Sequence, residues 1–315
     1  MKTILTSVKG SPLRRVLYSF LFGAAAFCVV PANIQAGDIV WVTTGNTIAA
    51  YNANGTALNG FNLITEQSLP AGGILVSGQY LHVPSDWWAC CPNKAYLYAL
   101  LHDEAYLIVT TYNAATGTVA GTSWFGAGRA PLFVPGGIAG STGLFYVANQ
   151  RGSIAHGGNF DFINSSVASP YALAVNGNVL YVTNNAQNSN GDFYISTYTA
   201  DTGALINANF IEIATSGLNG LALQGDTLYV SVFSGSASGV YPYNATTGAA
   251  LPNKPFFLVN EPWGIAIEGN RLFVASYLDS MIYEFNATTG AKLRDSIKVS
   301  APTYITVEPA TALGN

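Results

Sequence analysis

One phrase occurs twice, and it restricts the fold more than any other feature of the chain. From Gly220 the sequence reads GLALQGDTLYVSV and then VYPYNATTGAAL. From Gly264 it reads GIAIEGNRLFVAS and then IYEFNATTGAKL, 44 residues later. An internal period of this size marks a stacked or circular repeat, whose units cannot bury their apolar faces alone. Looser copies are GILVSGQYLHV at Gly73, GIAGSTGLFYV at Gly137 and ALAVNGNVLYV at Ala172. In all five, the first frame position stands eight residues before the apolar residue that opens a second apolar run. NGN, QGD and EGN place glycine between the runs, where a hairpin turn needs positive φ. Each copy therefore predicts a β-hairpin with a nearly wholly apolar first strand, buried on both faces.

A second unit follows most of these hairpins: YNANGT at Tyr51, YNAATGT at Tyr112, YTADTGA at Tyr198, YNATTGA at Tyr243 and FNATTGA at Phe285. Asn or Thr opens such a turn and Gly closes it, as in a longer hairpin loop. Two hairpins make a four-stranded antiparallel sheet, the unit of a propeller blade. The frames start 64, 35, 48 and 44 residues apart. The widest gap holds an insertion from Pro84 to about Asp103. APTYITVEP, from Ala301, reads as a first strand without a second. DIVWVTTGNTIAAYNANGT, from Asp38, reads as second and third strands without a first. The expectation is an all-β, six-bladed β-propeller closed by a blade shared between the N- and C-terminal strands. Its blades would cover 38–66 plus 301–308, 72–125, 136–164, 171–213, 219–259 and 263–299. KAYLYALL, from Lys94, leaves a seventh sheet open.

Residues 1–36 are different material. Lys2, Lys9, Arg14 and Arg15 precede an apolar run from Val16 to Val30, and Ala36 stands at a plausible cleavage point. This predicts a secretory signal peptide, the run being short for a membrane span. The expected compartment is secreted or periplasmic, with no further span. Four of the 12 basic residues and none of the 16 acidic ones fall in this leader, which leaves a mature net charge of −8. Without a basic patch the chain is no nucleic-acid binder. Cys90 and Cys91 are then the only cysteines, and they are adjacent. In an oxidising compartment they form either a strained vicinal disulfide or two thiols in a loop.

EPWGIAI, NRLFVAS and YNATTG resemble an NHL-type propeller of the secreted bacterial kind, over nearly all of the mature chain. The resemblance implies a fold rather than an activity, because that class spans scaffolds, ligand binders, lactonases and lyases. The leading expectation is a non-catalytic, monomeric propeller that binds a protein, glycan or small ligand on its loop face. The alternative is a metal-assisted lactonase or lyase with its site at the mouth of the central channel. Distantly similar gluconolactonase-like propellers imply a divalent cation such as calcium, held by Glu261, Asp279 and Asn149. Asp192, Asp86, Asn184 and Asn185 are further oxygen donors there, and no other cofactor is expected. Asn and Asp are equally common turn formers. Streptogramin-lyase-like propellers imply a histidine acid or base, for which His156 is the candidate. His82 takes the aromatic position of its strand and reads as packing, and His102 sits in a polar HDE loop.

In a propeller, the loops before the first strand and between the second and third strands share one face. The ligand-binding candidates on those loops are Trp87, Trp88, Arg151, Asn184, Asp192, Trp263 and Tyr277. Trp87 and Trp88 stand out because SDWWACCPNK is an insertion the fold does not require. Exposed aromatics of this kind stack on sugar faces or anchor a protein partner. No G-x-S-x-G elbow or phosphate-binding glycine loop is present.

Overall fold

The computed structural model describes residues 39–44, 47–52, 55–58, 63–64, 75–77, 80–86, 105–113, 119–128, 135–141, 144–157, 159–214, 217–252, 257–293 and 296–308. The leader, Trp87, Trp88, Cys90, Cys91, His102 and the Lys94 segment lie outside them.

Alternating apolar residues and tight turns produce four-stranded antiparallel sheets. One sheet holds β4 (Leu75–Ser77), β5 (Tyr80–Asp86), β6 (Ala105–Asn113) and β7 (Val119–Gly128). The next holds β8 (Pro135–Ser141), β9 (Leu144–Asn149), β10 (Ser153–His156) and β11 (Asn159–Ile163). It is followed by β12 (Pro170–Asn176), β13 (Val179–Asn184), β14 (Phe193–Thr199) and β15 (Leu205–Ile213). Then come β16 (Gly217–Gln224), β17 (Thr227–Phe233), β18 (Gly239–Asn244) and β19 (Phe257–Leu258). The last contiguous sheet is β20 (Pro262–Glu268), β21 (Arg271–Ser276), β22 (Met281–Asn286) and β23 (Ile297–Lys298).

The blade count expected from the sequence is corrected here. Five blades, not six, are built from consecutive strands. The remaining four-stranded sheet is a seam built from the two chain ends. In it β24 (Ile305–Glu308) pairs antiparallel with β1 (Ile39–Thr44), in the register Ile39↔Glu308 to Val42↔Ile305. Strand β1 is followed outward by β2 (Thr47–Asn52) and the two-residue β3 (Leu63–Ile64). The expected inner strand from Pro302 is shorter, because Pro302–Tyr304 runs irregularly against Thr43. Thr303 N–H donates to Thr43 O, and Thr43 N–H donates to Tyr304 O. The seam ties the two chain ends together in one hydrogen-bonded sheet.

The core lies in the seams between adjacent sheets. Between the third and fourth contiguous blades, Tyr181 and Ile195 pack with Leu218, Leu228, Val230 and Tyr243. Phe273 and Ile282 pack with Val40, Val42 and Ile305 where the last contiguous blade meets the composite sheet. A repeated polar staple joins the blades. The hydroxyls of Tyr146, Tyr181 and Tyr229 donate to the carbonyls of Ala200, Ala245 and Ala287, each in the next blade, at 2.7, 2.8 and 3.1 Å. Each contributes about 1 kcal/mol net. The acceptor is in every case the alanine of a YTADTG, YNATTG or FNATTG turn, so this turn closes its own hairpin and receives the neighbouring blade. In the NATTG copies Asn supplies the closure: Asn244 Oδ1 accepts the N–H groups of Thr246 and Thr247 at 2.9 and 2.8 Å. Around the composite sheet, Phe273 and Trp41 occupy the tyrosine position and offer no hydroxyl.

No helix among the described residues is long and apolar enough to cross a membrane.

Candidate functional site

Register decides which loops share a face. Pro170 opposes Asn184, Gly217 opposes Phe233 and Pro262 opposes Ser276. The start of each inner strand therefore lies beside the loop leaving its second strand. One end of the ring carries both sets, and the described residues there form an aromatic tier.

The inner strands begin in one pattern: a position usually filled by Pro, a variable residue, a small residue, then Ile or Leu. The variable position holds Gly136, Tyr171, Asn219, Trp263 and Thr303, and the small one holds Gly137, Ala172, Gly220, Gly264 and, as an exception, Tyr304. The small residues are required by close approach. A Cβ on Gly220 would lie 2.5 Å from Trp263 O, and one on Gly264 would lie 2.6 Å from Thr303 O. The strands surround a cavity of about 60 Å³ lined by Ala172, Asn219, Gly220, Gly264 and Tyr304, with isoleucines and leucines beneath. Tyr304 occupies this neck from the one strand without a glycine or alanine.

Above the neck the rings form a chain. Tyr304 stacks on Tyr171 with centroids 5.8 Å apart and planes at 22°. Tyr171 meets Trp263 edge-on at 5.9 Å, and Trp263 stacks on Tyr277 at 5.3 Å and 27°. Trp263 is fixed through its main chain. Asn219 Nδ2 donates to Pro262 O at 2.9 Å, and Ser231 Oγ donates to Trp263 O at 2.6 Å. Its indole N–H is buried without a hydrogen-bond partner among the described residues. The residues before Pro170, Pro262 and Pro302 are Ser169, Glu261 and Ala301, with φ of 54°, 45° and 45°. Non-glycine residues in the left-handed region are strained, and such strain gathers where the surroundings over-determine a site.

The rings of the tier carry no formal charge. Burial pushes the Tyr171 hydroxyl well above its ordinary range, and the hydrogen bond from Tyr304 offsets only part of that. Tyr304 is raised further, by burial first and then by Tyr171. Both stay protonated at neutral pH and act as neutral hydrogen-bonding groups, not bases.

The residues singled out in the sequence fall into separate roles. Trp263 and Tyr277 come together in the tier. Asn184 is fully buried: its Oδ1 accepts Ala168 N–H at 2.9 Å, and its Nδ2 donates to Val182 O at 3.2 Å and Ser196 Oγ at 2.9 Å. Asn149 is also buried, bonding Ser153 Oγ through Nδ2 and Arg151 N–H through Oδ1, both at 3.1 Å. The Arg151 side chain is exposed. Asp192 closes its loop by main-chain bonds to Asn188. Glu261 is partly exposed, and its carbonyl accepts Tyr277 N–H at 3.1 Å. Asp279 receives Asn260 Nδ2 on Oδ1 at 3.0 Å and the Tyr283 hydroxyl on Oδ2 at 2.9 Å. Among the described residues, no three His, Cys, Asp or Glu side chains form a group able to hold a metal. His156 stands toward the far end of its sheet, opposite Tyr146. Its ring stacks on Tyr146 at 4.0 Å, with Nδ1 2.9 Å from Phe145 O.

Tyr171 and Tyr304 were not among the sequence candidates. Aligning the five strand starts isolates Tyr304 as the one bulky residue in a column of glycine and alanine.

Asp279 yields a pH prediction. Burial raises its carboxyl pKa, but hydrogen bonds with Asn260, Tyr283 and Ser276 outweigh this and hold it below the ordinary carboxylate range. A folded-state pKa below the unfolded one stabilises at pH above the unfolded value, about 4, and the contribution fades as pH falls through the folded value. A carboxyl-carbon NMR titration is expected to place Asp279 below a typical Asp. Asn260→Ala and Tyr283→Phe should each move it upward.

Sheets of four antiparallel strands set radially about one axis define a β-propeller, and this chain is one. Among solved structures it is similar to a chain of a nidogen/laminin complex, at 11% identity and a TM-score of 0.56, covering 86% of this chain and 98% of that one. It is also similar to a putative 6-phosphogluconolactonase from Bacteroides fragilis, at 14% identity and a TM-score of 0.53, covering 88% and 99%. At these identities the likeness shows the fold alone. No family model matches the chain, and no curated protein matches it.

Proposed function

We propose that this protein is a secreted or periplasmic propeller of the bacterial NHL type that binds a ligand at the loop-side mouth of its channel without transforming it. The leader-like residues 1–36 support the compartment, and the GIAIEGNRLFVAS and YNATTG phrases support the NHL type. One observation carries the function: the tier of Tyr171, Trp263, Tyr277 and Tyr304, part-exposed and uncharged, gathered from three different sheets on one face. Binding sites are typically apolar and aromatic surfaces with a few placed polar groups. Here the polar groups are the Tyr171 and Tyr304 hydroxyls and the amide of Asn219.

The test is a binding screen on purified residues 37–315, by calorimetry and thermal shift, with product analysis after prolonged incubation. A ligand recovered unchanged, with affinity reduced by Trp263→Phe, is the expected result. A ligand held equally by the Trp263→Phe protein, or chemically converted by it and by the parent chain, overturns the reading.

A further inference from the structure

The Tyr277–Trp263 pair is a platform, and its surroundings narrow what it takes. Tyr277 is 39% exposed and Leu278 69%, on a four-residue turn between β21 and β22. An exposed aromatic and an exposed leucine side by side are ordinarily mobile, but this turn is braced at three of its four positions. Tyr277 N–H donates to Glu261 O at 3.1 Å, Ser280 N–H donates to Tyr277 O at 3.3 Å, and Ser280 holds a φ of 54°. Asp279 ties the turn to Asn260 and Tyr283. The rings are therefore pre-positioned, which lowers the entropy lost on binding.

Size excludes the channel itself as the seat of the ligand. Its cavity is about 60 Å³, well under the dry cavity of about 150 Å³ that takes one benzene. The ligand must lie across the mouth, with one face on the rings and the other toward water. An apolar molecule gains little from such half-burial. A pyranose ring suits it, because its C–H face packs on an aromatic ring while its hydroxyls remain solvated. The platform rings carry no formal charge, and the charged groups that adjoin them, Glu261 and Asp279, are carboxylates that disfavour an acidic ligand. On the same face the adjacent loops offer exposed uncharged hydrogen-bonding groups, Gln187, Ser189 and Asn190 in one and Ser236 in another. Among the described residues, the large exposed hydrophobics toward this end are Phe233, Leu258, Tyr277 and Leu278, few beside the roughly 20–30 residues a side that a stable protein interface takes.

We infer that the channel-mouth platform binds a neutral saccharide, with one pyranose ring stacked on Tyr277 and supported by Trp263. This rests on the binding function proposed above. The experiment is calorimetry on residues 37–315 with cellohexaose, maltohexaose and chitohexaose as neutral probes, and hexagalacturonate as the acidic one. Binding of a neutral probe is expected, weakened roughly tenfold or more by Tyr277→Ala and largely retained by Tyr277→Phe. Tenfold corresponds to about 1.4 kcal/mol, the order expected for the loss of one aromatic stack and its buried area. Because Tyr277 is exposed, the Tyr277→Ala protein should keep its melting temperature, which separates lost binding from lost fold. Failure of all three neutral probes to bind overturns the inference. So does a preference for hexagalacturonate that Tyr277→Ala abolishes, although that outcome leaves the channel-mouth function standing. A neutral saccharide bound with equal affinity by the parent, Tyr277→Ala and Trp263→Phe proteins overturns both.

Discussion

Gly220→Ala is expected to lower stability by about 2–3 kcal/mol, the upper part of the range for overpacking a closed interior. Its Cβ would stand 2.5 Å from Trp263 O and 2.9 Å from Ser231 Oγ. Neither can retreat freely, because Ser231 Oγ donates to that same carbonyl. The nearest atom belongs to the main chain of the next blade, so relief requires two inner strands to separate. A fall in melting temperature of roughly 3–6 °C is the measurable result for a domain of this size. The strand that moves also carries Trp263, so saccharide affinity should fall with stability in this variant, whereas Tyr277→Ala should change affinity alone. A Gly220→Ala protein with unchanged melting temperature would show that the strands are less closely set than described here.

Asn184→Ala is expected to cost about 2–4 kcal/mol with little effect on ligand affinity in the protein that remains folded. The side chain is fully buried and makes three hydrogen bonds across two strands and a loop. Truncation leaves Ala168 N–H, Val182 O and Ser196 Oγ short of a partner, and each unsatisfied buried group costs about 1–3 kcal/mol unless water replaces the amide. Asn184→Asp should be worse at neutral pH, since it exchanges the donating NH2 for a buried negative charge facing Val182 O. Denaturant unfolding of the two variants tests the order. A ligand-binding asparagine would give the opposite pattern, with stability kept and affinity lost.

Asn184 also shows where the sequence stops being readable. NN followed by a polar run reads equally as a ligand loop or as a turn. The choice depends on whether the amide points outward or back over its own hairpin, and residue order does not encode that. The hairpin frame was readable because it is local: GLALQGDTLY fixes Gln224↔Thr227 and Leu223↔Leu228 through turn chemistry and alternation alone. The role of Asn in NATTG was readable for the same reason, since Asn244 bonds the amides two and three residues ahead. The alanine of that motif was not. Its carbonyl accepts a tyrosine 54 to 64 residues earlier, across a blade boundary.

The sequence alone determined the repeat, the four-strand unit and its turns, because period, alternation and glycine placement act within a few residues. It also marked Trp263 and Tyr277 as belonging to one face. It further showed strands from both chain ends sharing one closing sheet; the tertiary structure decided the register of that sheet, Ile39↔Glu308 to Val42↔Ile305, and left five blades built from consecutive strands where six blades were expected. It likewise decided that Asn184, Asn149 and His156 serve packing, and that Tyr171 and Tyr304 join the two marked residues in one aromatic tier. These are contacts between sheets, set by how closely neighbouring strands approach around a common axis. That distance is fixed only when every blade is in place.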